Sequence, residues 1–360
     1  MIIIKDNKIN VGIKYLKTNL KYEIEGIKSS ICQLIHNSVE ARDNKLTKED
    51  PCKIKIIIDT DSISINDNSG GIKKEIDSDG LFTIEIDNSN LNSGIGMKRA
   101  FLTLGNSMTI TSNQKSNSRK FIIEPNDKNT NLIHKSYNTK YESTEPEGTK
   151  IEITNLEKVI IKEIEKVEFY NKLIRELGYI YRYLINKELL QIVVENKKNN
   201  EDLNISAIDI DGQCIDETVL TNNATCYLYK TNGNNLSGVE VFSKDLMRYN
   251  ANEGKKIVKW NQLSEIGHSY KNCLVVIIDY ENNTSIDNIF NGEICEEIES
   301  FIQKNSFKFR VNETSIQFSK PINEVEKLKK YYNVENNKKL GEKGYLKLLA
   351  EYDDDNDKFK

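Results

Sequence analysis

Apolar residues recur at spacings of three and four through residues 26–43, which predicts an amphipathic helix. At about 100° per residue, Ile27, Ile31, Leu34, Ile35 and Ser38 share one side, while Gln33, His36, Asn37 and Glu40 share the opposite one. The apolar side is suited to docking on a sheet. Taken alone, the polar side is accounted for by solvent. Residues 53–59 (KIKIIID) and 62–67 (SISIND) then alternate, and read as two strands around an Asp59-Thr60-Asp61 turn. Residues 72–93 are polar and rich in Asn, Ser and Asp, so they read as a loop or lid. GMKRAFLTLG at 96–105 reads as a short helix closed by glycine, and strands follow at 107–113, 119–124 and 149–154.

Residues 157–190 carry a sustained helical period through Val159, Ile160, Ile164, Val167, Tyr170, Leu173, Ile174, Leu177, Ile180, Tyr181 and Leu184. The pattern breaks at the polar stretch Glu195–Asp202, which places a domain boundary near 195. Beyond it, strands (191–194, 225–229, 238–242, 272–279, 315–318) alternate with helices (293–304, 321–332). The expected organisation is one α/β (α+β) unit over 1–195, a second α/β unit over 196–350 and a solvated acidic tail at 351–360, with a strand and a strap in residues 1–25.

Composition narrows the function classes. The 360 residues include 51 basic and 55 acidic side chains for a net charge of −4, so a broad polyanion-binding surface is not implied. Six cysteines form no CxxC pair and no His lies at ligand spacing from them, which argues for reduced thiols and against a zinc site. The start, Met-Ile-Ile-Ile-Lys, turns polar at once, and no apolar run reaches the roughly 18 residues a membrane span needs. The expectation is a cytoplasmic protein without a membrane segment.

Four short segments carry candidate chemistry. The first is the polar helix side of QLIHNSVEA, residues 33–41. In the second, DNSGGI at 67–72, Asp67 ends a strand where its carboxylate can accept from an exocyclic amine, and Gly70 and Gly71 permit positive φ and close approach of a ligand. In the third, SGIGMK at 93–98, glycines lead into a helix whose free N–H groups suit phosphate, with Lys98 adding charge. It is neither a Walker A loop nor a dinucleotide fingerprint. The fourth, EGTKIEI at 147–153, offers the Thr149 hydroxyl at a strand start. Each alone is ordinary turn or helix chemistry; their order within residues 25–155 is the informative feature.

In that order the chain resembles the GHKL ATPases, which include type II topoisomerase subunits, MutL mismatch-repair proteins, MORC proteins, an ATP-dependent heat-shock chaperone and histidine kinases. QLIHNSVEA resembles the first family motif, ELxxNxxDA. DNSGGI resembles DxGxG with its first glycine displaced, GIGMKRAFLTLG the second glycine motif, and GTKIEI the last. The resemblance implies a layered α/β sandwich, the Bergerat fold, holding ATP and Mg2+. It implies Asn37 as the magnesium ligand, with Glu40 and Ala41 beside it. Asp67 would meet the adenine amine, supported by Thr149 through water, with Gly71 and Ile72 lining the base pocket. Ser93, Gly94, Ile95, Gly96, Met97 and Lys98 would face the phosphates, and residues 72–93 would form the ATP lid.

One departure bears on catalysis. Gln33 stands where the family carries its general base, and an amide positions water without accepting its proton. His36 and Glu40, on the same helix side, are candidates to assist. GVEVFSKDLMR at 238–248 resembles the strand and turn of a transducer domain, in which a lysine reaches the γ-phosphate. Lys320 is the first candidate for that role and Lys244 the second, with Arg248 read as structural. The implied function is an ATP-driven switch that forms a homodimer and clamps on a protein client or on nucleic acid, in the manner of stand-alone bacterial GHKL proteins of defence or stress systems. The alternative is an ATP-binding sensor with little hydrolysis.

Overall fold

The computed structural model describes residues 2–12, 26–42, 45–76, 81, 95–114, 117–125, 131–139, 147–232, 236–257, 272–279, 292–305, 352–353 and 358–359. Two mixed sheets organise them. The strands of the first are β1 (Ile2–Gly12), β2 (Cys52–Ile58), β3 (Ser62–Asp67), β4 (Gly105–Gln114), β5 (Asn117–Pro125), β6 (Asn131–Thr139), β7 (Gly148–Leu156), β8 (Leu190–Asn196) and β9 (Glu201–Asn204). Their spatial order is β1-β6-β5-β4-β7-β3-β2-β8-β9. All neighbours are antiparallel except β2 and β8, which run parallel. The last two strands straddle the position where the sequence pattern changes.

The helices that position the site lie on one side of this sheet. α1 (Ile27–Arg42) buries Ile27, Ile31, Leu34, Ile35 and Ser38, together with Cys32 and Val39. Ile31 and Ile35 are wholly buried, each removing roughly 1.5–3 kcal/mol worth of apolar surface from water. α2 (Ile95–Leu104) packs along α1 and feeds directly into β4.

The long helical period is cut into α3 (Lys158–Ile164), α4 (Val167–Ile180) and α5 (Arg182–Asn186). The breaks fall at Lys166, which is extended (ψ 136°), and at Tyr181 (φ −100°, ψ 14°). Neither position holds glycine or proline, so the period runs through both interruptions without a local signal. Tyr181 is fully buried, and its hydroxyl donates to the Cys32 carbonyl at 3.1 Å.

The second sheet contains β10 (Gly212–Val219), β11 (Thr225–Thr231), β12 (Gly238–Ser243), β13 (Leu246–Tyr249) and β14 (Cys273–Asp279), in the order β10-β11-β14-β12-β13. β12 and β14 are parallel and buried along their whole length. One face packs on α7 (Gly292–Lys304) through Ile294, Ile298, Phe301 and Ile302. The other packs Phe242, Leu274, Val276 and Ile278 against Tyr179, Ile180 and Tyr183 of the helical layer. Continuous apolar runs such as CLVVIID are what a strand covered on both faces requires. At this seam the buried Arg182 guanidinium donates to Glu240 at 2.8 Å, and Tyr179 donates to the other Glu240 oxygen at 2.9 Å.

The expected mixed α/β architecture with two sheets is therefore present. Several elements carry no clear sequence period. β6 (NLIHKSYNT) and β10 (GQCIDETV) are polar strands held by backbone pairing, and α6 (Ala251–Ile257) is a short helix in a polar stretch. In the segment read as a solvated tail, β15 (Tyr352–Asp353) and β16 (Lys358–Phe359) pair as antiparallel strands. The strand expected at 315–318 and the helix at 321–332 lie outside the described residues.

Candidate functional site

The end of β3 is the centre of the site. Asp67 leaves the strand beside the turn at Gly70 and Gly71, whose φ values are +86° and +78°. Its Oδ1 accepts from the Ser69 backbone N–H at 2.8 Å, from the Ser69 hydroxyl and from the Thr149 backbone N–H at 3.0 Å. Oδ2 accepts from the Ser38 hydroxyl at 2.6 Å. Oδ1 is crowded by three donors, two of them from Ser69, whereas Oδ2 has one among the described contacts and so keeps one acceptor direction open.

Two glycines permit this closeness. A Cβ on Gly148 would lie 1.8 Å from the Asp67 carbonyl oxygen. One on Gly71 would lie 2.8 Å from the Asn113 carbonyl and 2.9 Å from Ser112 Oγ. The Ser112 hydroxyl oxygen accepts from the Ile72 N–H at 2.8 Å, tying the turn to β4. Beyond it Arg119 gathers the departing backbone, donating to the carbonyls of Ile72 (2.6 Å), Lys73 (2.8 Å) and Ile76 (2.8 Å). Burial lowers its pKa, yet a guanidinium remains charged.

α1 and α2 form the other wall. Gln33, Asn37, Glu40 and Ala41 are exposed on α1. The Gln33 amide oxygen lies so near Gly96 that a Cβ there would be 2.5 Å from it. Met97 and Lys98 are buried within α2, and Ile95 opens that helix. At the far end of α1 the Arg42 guanidinium donates to the carbonyls of Asn68 (3.2 Å) and Asp50 (3.1 Å), fixing the strand ends beside Asp67.

His36, on the polar side of α1, is half-buried while Gln33, Asn37 and Glu40 are exposed. Its ring meets Tyr181 edge-on at 5.5 Å, and its Nε2 is buried without a hydrogen-bond partner among the described residues. Desolvation, then the nearby Arg248 charge, pushes its pKa down to about 3, so the imidazole is neutral. Burial likewise pushes the Cys32 and Cys52 thiols up to about 12, which keeps both protonated. Among the described residues no group of three or more His, Cys, Asp or Glu side chains could hold a metal.

The structure thus joins Asp67, Thr149, Gly71 and Ile72 at one strand end and sets Gln33 against Gly96 at the helix pair. It joins Thr149 to Asp67 through the backbone N–H. Ser93, Gly94 and Lys320 lie outside the described residues, as does most of the expected lid. Sequence reasoning missed Ser38, Ser69, Ser112 and Arg119. The signal for Ser38 was available: a serine on a buried helix side must find a partner.

A family model described as "Histidine kinase-, DNA gyrase B-, and HSP90-like ATPase" matches residues 24–158, which span α1 to β7 and so contain all the joined groups. Residues 24–158 belong to the GHKL ATPases. The GHKL segment runs from just before α1 to just after β7, and β8 and β9 extend its sheet. Among solved structures, the chain is similar to the 43K ATPase domain of Thermus thermophilus gyrase B, crystallised with an aminocoumarin. Identity is 9% and the TM-score 0.45, covering 82% of this chain and 90% of that one. No curated protein matches the chain. Among the described residues, no helix is long and apolar enough to cross a membrane.

Proposed function

We propose that this protein is an ATP-binding conformational switch that hydrolyses its nucleotide slowly. The observation that carries the reading is the Asp67 carboxylate, held by donors from Ser38, Ser69 and Thr149 with one acceptor direction left on Oδ2. An anion fixed in that way selects a donor such as an exocyclic amine, and the turn at Gly71 leaves room for a flat ring to approach the backbone.

The residues present fit Mg2+ bound with ATP. Magnesium keeps waters and phosphate oxygens and takes few protein ligands, so a single exposed amide oxygen at Asn37 suffices where no carboxylate cluster exists. Bound there, the ion would neutralise charge on the phosphates. Asn37 would orient it, and the N-terminal turn of α2, with Gly96, would offer backbone N–H groups to the phosphates, the role that the sequence also assigns to Ser93 and Gly94. Gly96 has room for Gln33 only because it lacks a side chain, so Gln33 holds its amide beside that turn.

Slow turnover follows from the same groups. Gln33 cannot take a proton. His36 is neutral, and its Nε2 is buried without a hydrogen-bond partner among the described residues. This favours the sensor end of the range, with ATP occupancy rather than hydrolysis as the signal. Residues 72–93 would form the lid over the nucleotide, and a basic side chain of the second unit, Lys320 or Lys244, would read the γ-phosphate. Dimerisation, a protein client, nucleic acid and a role in bacterial defence are extensions of this switch.

Calorimetry with Mg·ATP tests the reading: saturable heat for the natural protein, and loss of it for Asp67→Ala. Substituting Gln33→Glu should raise hydrolysis about 10²-fold or more. Sedimentation with a non-hydrolysable analogue should reveal a larger species; a single unchanged species removes the dimer.

A further inference from the structure

The polar side of α1 meets the second unit at Arg248. This residue, on β13, directs Nη1 to Oε1 of Glu40. Its side chain is 22% exposed and that of Glu40 38%, so the pair lies at the rim of the site with one partner largely enclosed. Arg248 Nε is buried with no hydrogen-bond partner among the described residues, and so is Nε2 of His36, one turn before Glu40. The guanidinium therefore sits over the last turn of the helix, one turn beyond Asn37.

Charge makes this placement consequential. Gln33 and Asn37 are neutral, so Glu40 is the anionic group among the exposed residues of this helix side. A free carboxylate one turn from Asn37 would repel a triphosphate and compete for its magnesium. We propose that Arg248 is a positioning residue of the nucleotide site, neutralising Glu40 so that the phosphates approach an uncharged helix face, and thereby making nucleotide affinity depend on where the second unit sits. This rests on the ATP-binding reading above. By linkage, a nucleotide that needs the neutral face holds β13 in place, so occupancy is transmitted to the second sheet.

The experiment is a titration of the full chain with Mg·ATP and, separately, with adenosine. The variants are Arg248→Ala, Arg248→Lys, Glu40→Gln and the double variant Glu40→Gln/Arg248→Ala. Arg248→Ala should weaken Mg·ATP about ten-fold, leave adenosine unchanged, and lose most of its effect in high salt. Arg248→Lys should bind close to the natural protein. The decisive member is the double variant, in which deleting the orphaned carboxylate should restore affinity. If the double variant binds as weakly as Arg248→Ala, or if adenosine is weakened equally, Arg248 acts through packing and the proposal is overturned. Thermal unfolding of each variant identifies losses caused by misfolding, and Glu40→Gln/Arg248→Ala stays informative because it leaves no unpaired charge. Absence of saturable Mg·ATP binding by the natural protein would instead remove the nucleotide reading itself, and this proposal with it.

Discussion

The Ser38 hydroxyl donates to the Asp67 carboxylate at 2.6 Å, linking the buried side of α1 to the last residue of β3. The residue next to the expected magnesium ligand therefore sets the orientation of the expected base-binding acid. A hydrogen bond to a charged group contributes about 1.5–3 kcal/mol, and its loss removes the described donor to Oδ2 while Ser69 and Thr149 still hold Oδ1. Ser38→Ala should weaken nucleotide binding about ten-fold, while Ser38→Thr, which keeps the hydroxyl, should lose less. Calorimetry on the pair checks this; equal losses would point to crowding at the helix instead.

Gly148 and Gly70 both have positive φ, yet they should respond differently to a methyl group. At Gly148 (φ +154°) a Cβ meets the Asp67 carbonyl at 1.8 Å, whereas at Gly70 (φ +86°) it meets nothing within 4 Å. Gly148→Ala should cost on the order of 3 kcal/mol and displace Asp67. Gly70→Ala should cost about 1 kcal/mol, the conformational penalty alone. Urea unfolding of the two variants gives the comparison.

His36 makes stability depend on pH. Its folded pKa, about 3, lies below the ordinary value of 6.5, so the unfolded chain binds more protons between these limits. The stability tied to the neutral ring is complete above the ordinary value and is lost as pH falls toward the folded one, at up to about 1.4 kcal/mol per pH unit. Arg248 and Glu40 face the same space and Tyr181 covers the ring, so His36→Gln should flatten this slope between pH 6 and 4 without removing the acid limb due to carboxylates. Unfolding midpoints measured across that range decide it.

Arg182 and Glu240 are both almost wholly buried, and the guanidinium also stacks against Tyr179, Tyr183 and Phe242 at 4.3–4.8 Å. Removing one partner of such a pair strands a buried charge. Glu240→Leu should destabilise the protein by about 3–5 kcal/mol. The double variant Arg182→Met/Glu240→Leu should lose less than Glu240→Leu alone, and denaturant midpoints would reveal the reverse order if the stacking outweighs the charge.

Much of this arrangement was legible because it rests on local rules. The side of α1 that carries Ile31 and Ile35 is fixed by spacing, and β2 and β3 by alternation around Asp59–Asp61. The glycines at 70 and 71 announce a turn before any ligand is considered. Other features depend on distant partners and leave no local trace. His36 fits a polar stripe by angle, but Tyr181, 145 residues later in the chain, covers it. The breaks at Lys166 and Tyr181 interrupt a helical period that the residues themselves continue. β6 and β10 are polar strands defined by their neighbours, and Arg119 acts through carbonyl groups, which carry no residue identity.

The second sheet's inner face, with Phe242, Val276 and Ile278, is completed by Tyr179, Ile180 and Tyr183 from the helices that follow the GHKL segment. Cutting the chain between them would leave each half with a raw apolar wound, and the N-terminal half with a stranded guanidinium at its middle. Neither piece should be expected to survive expression alone. Work on the nucleotide pocket by fragment would thus measure the chemistry of a damaged surface rather than that of the pocket.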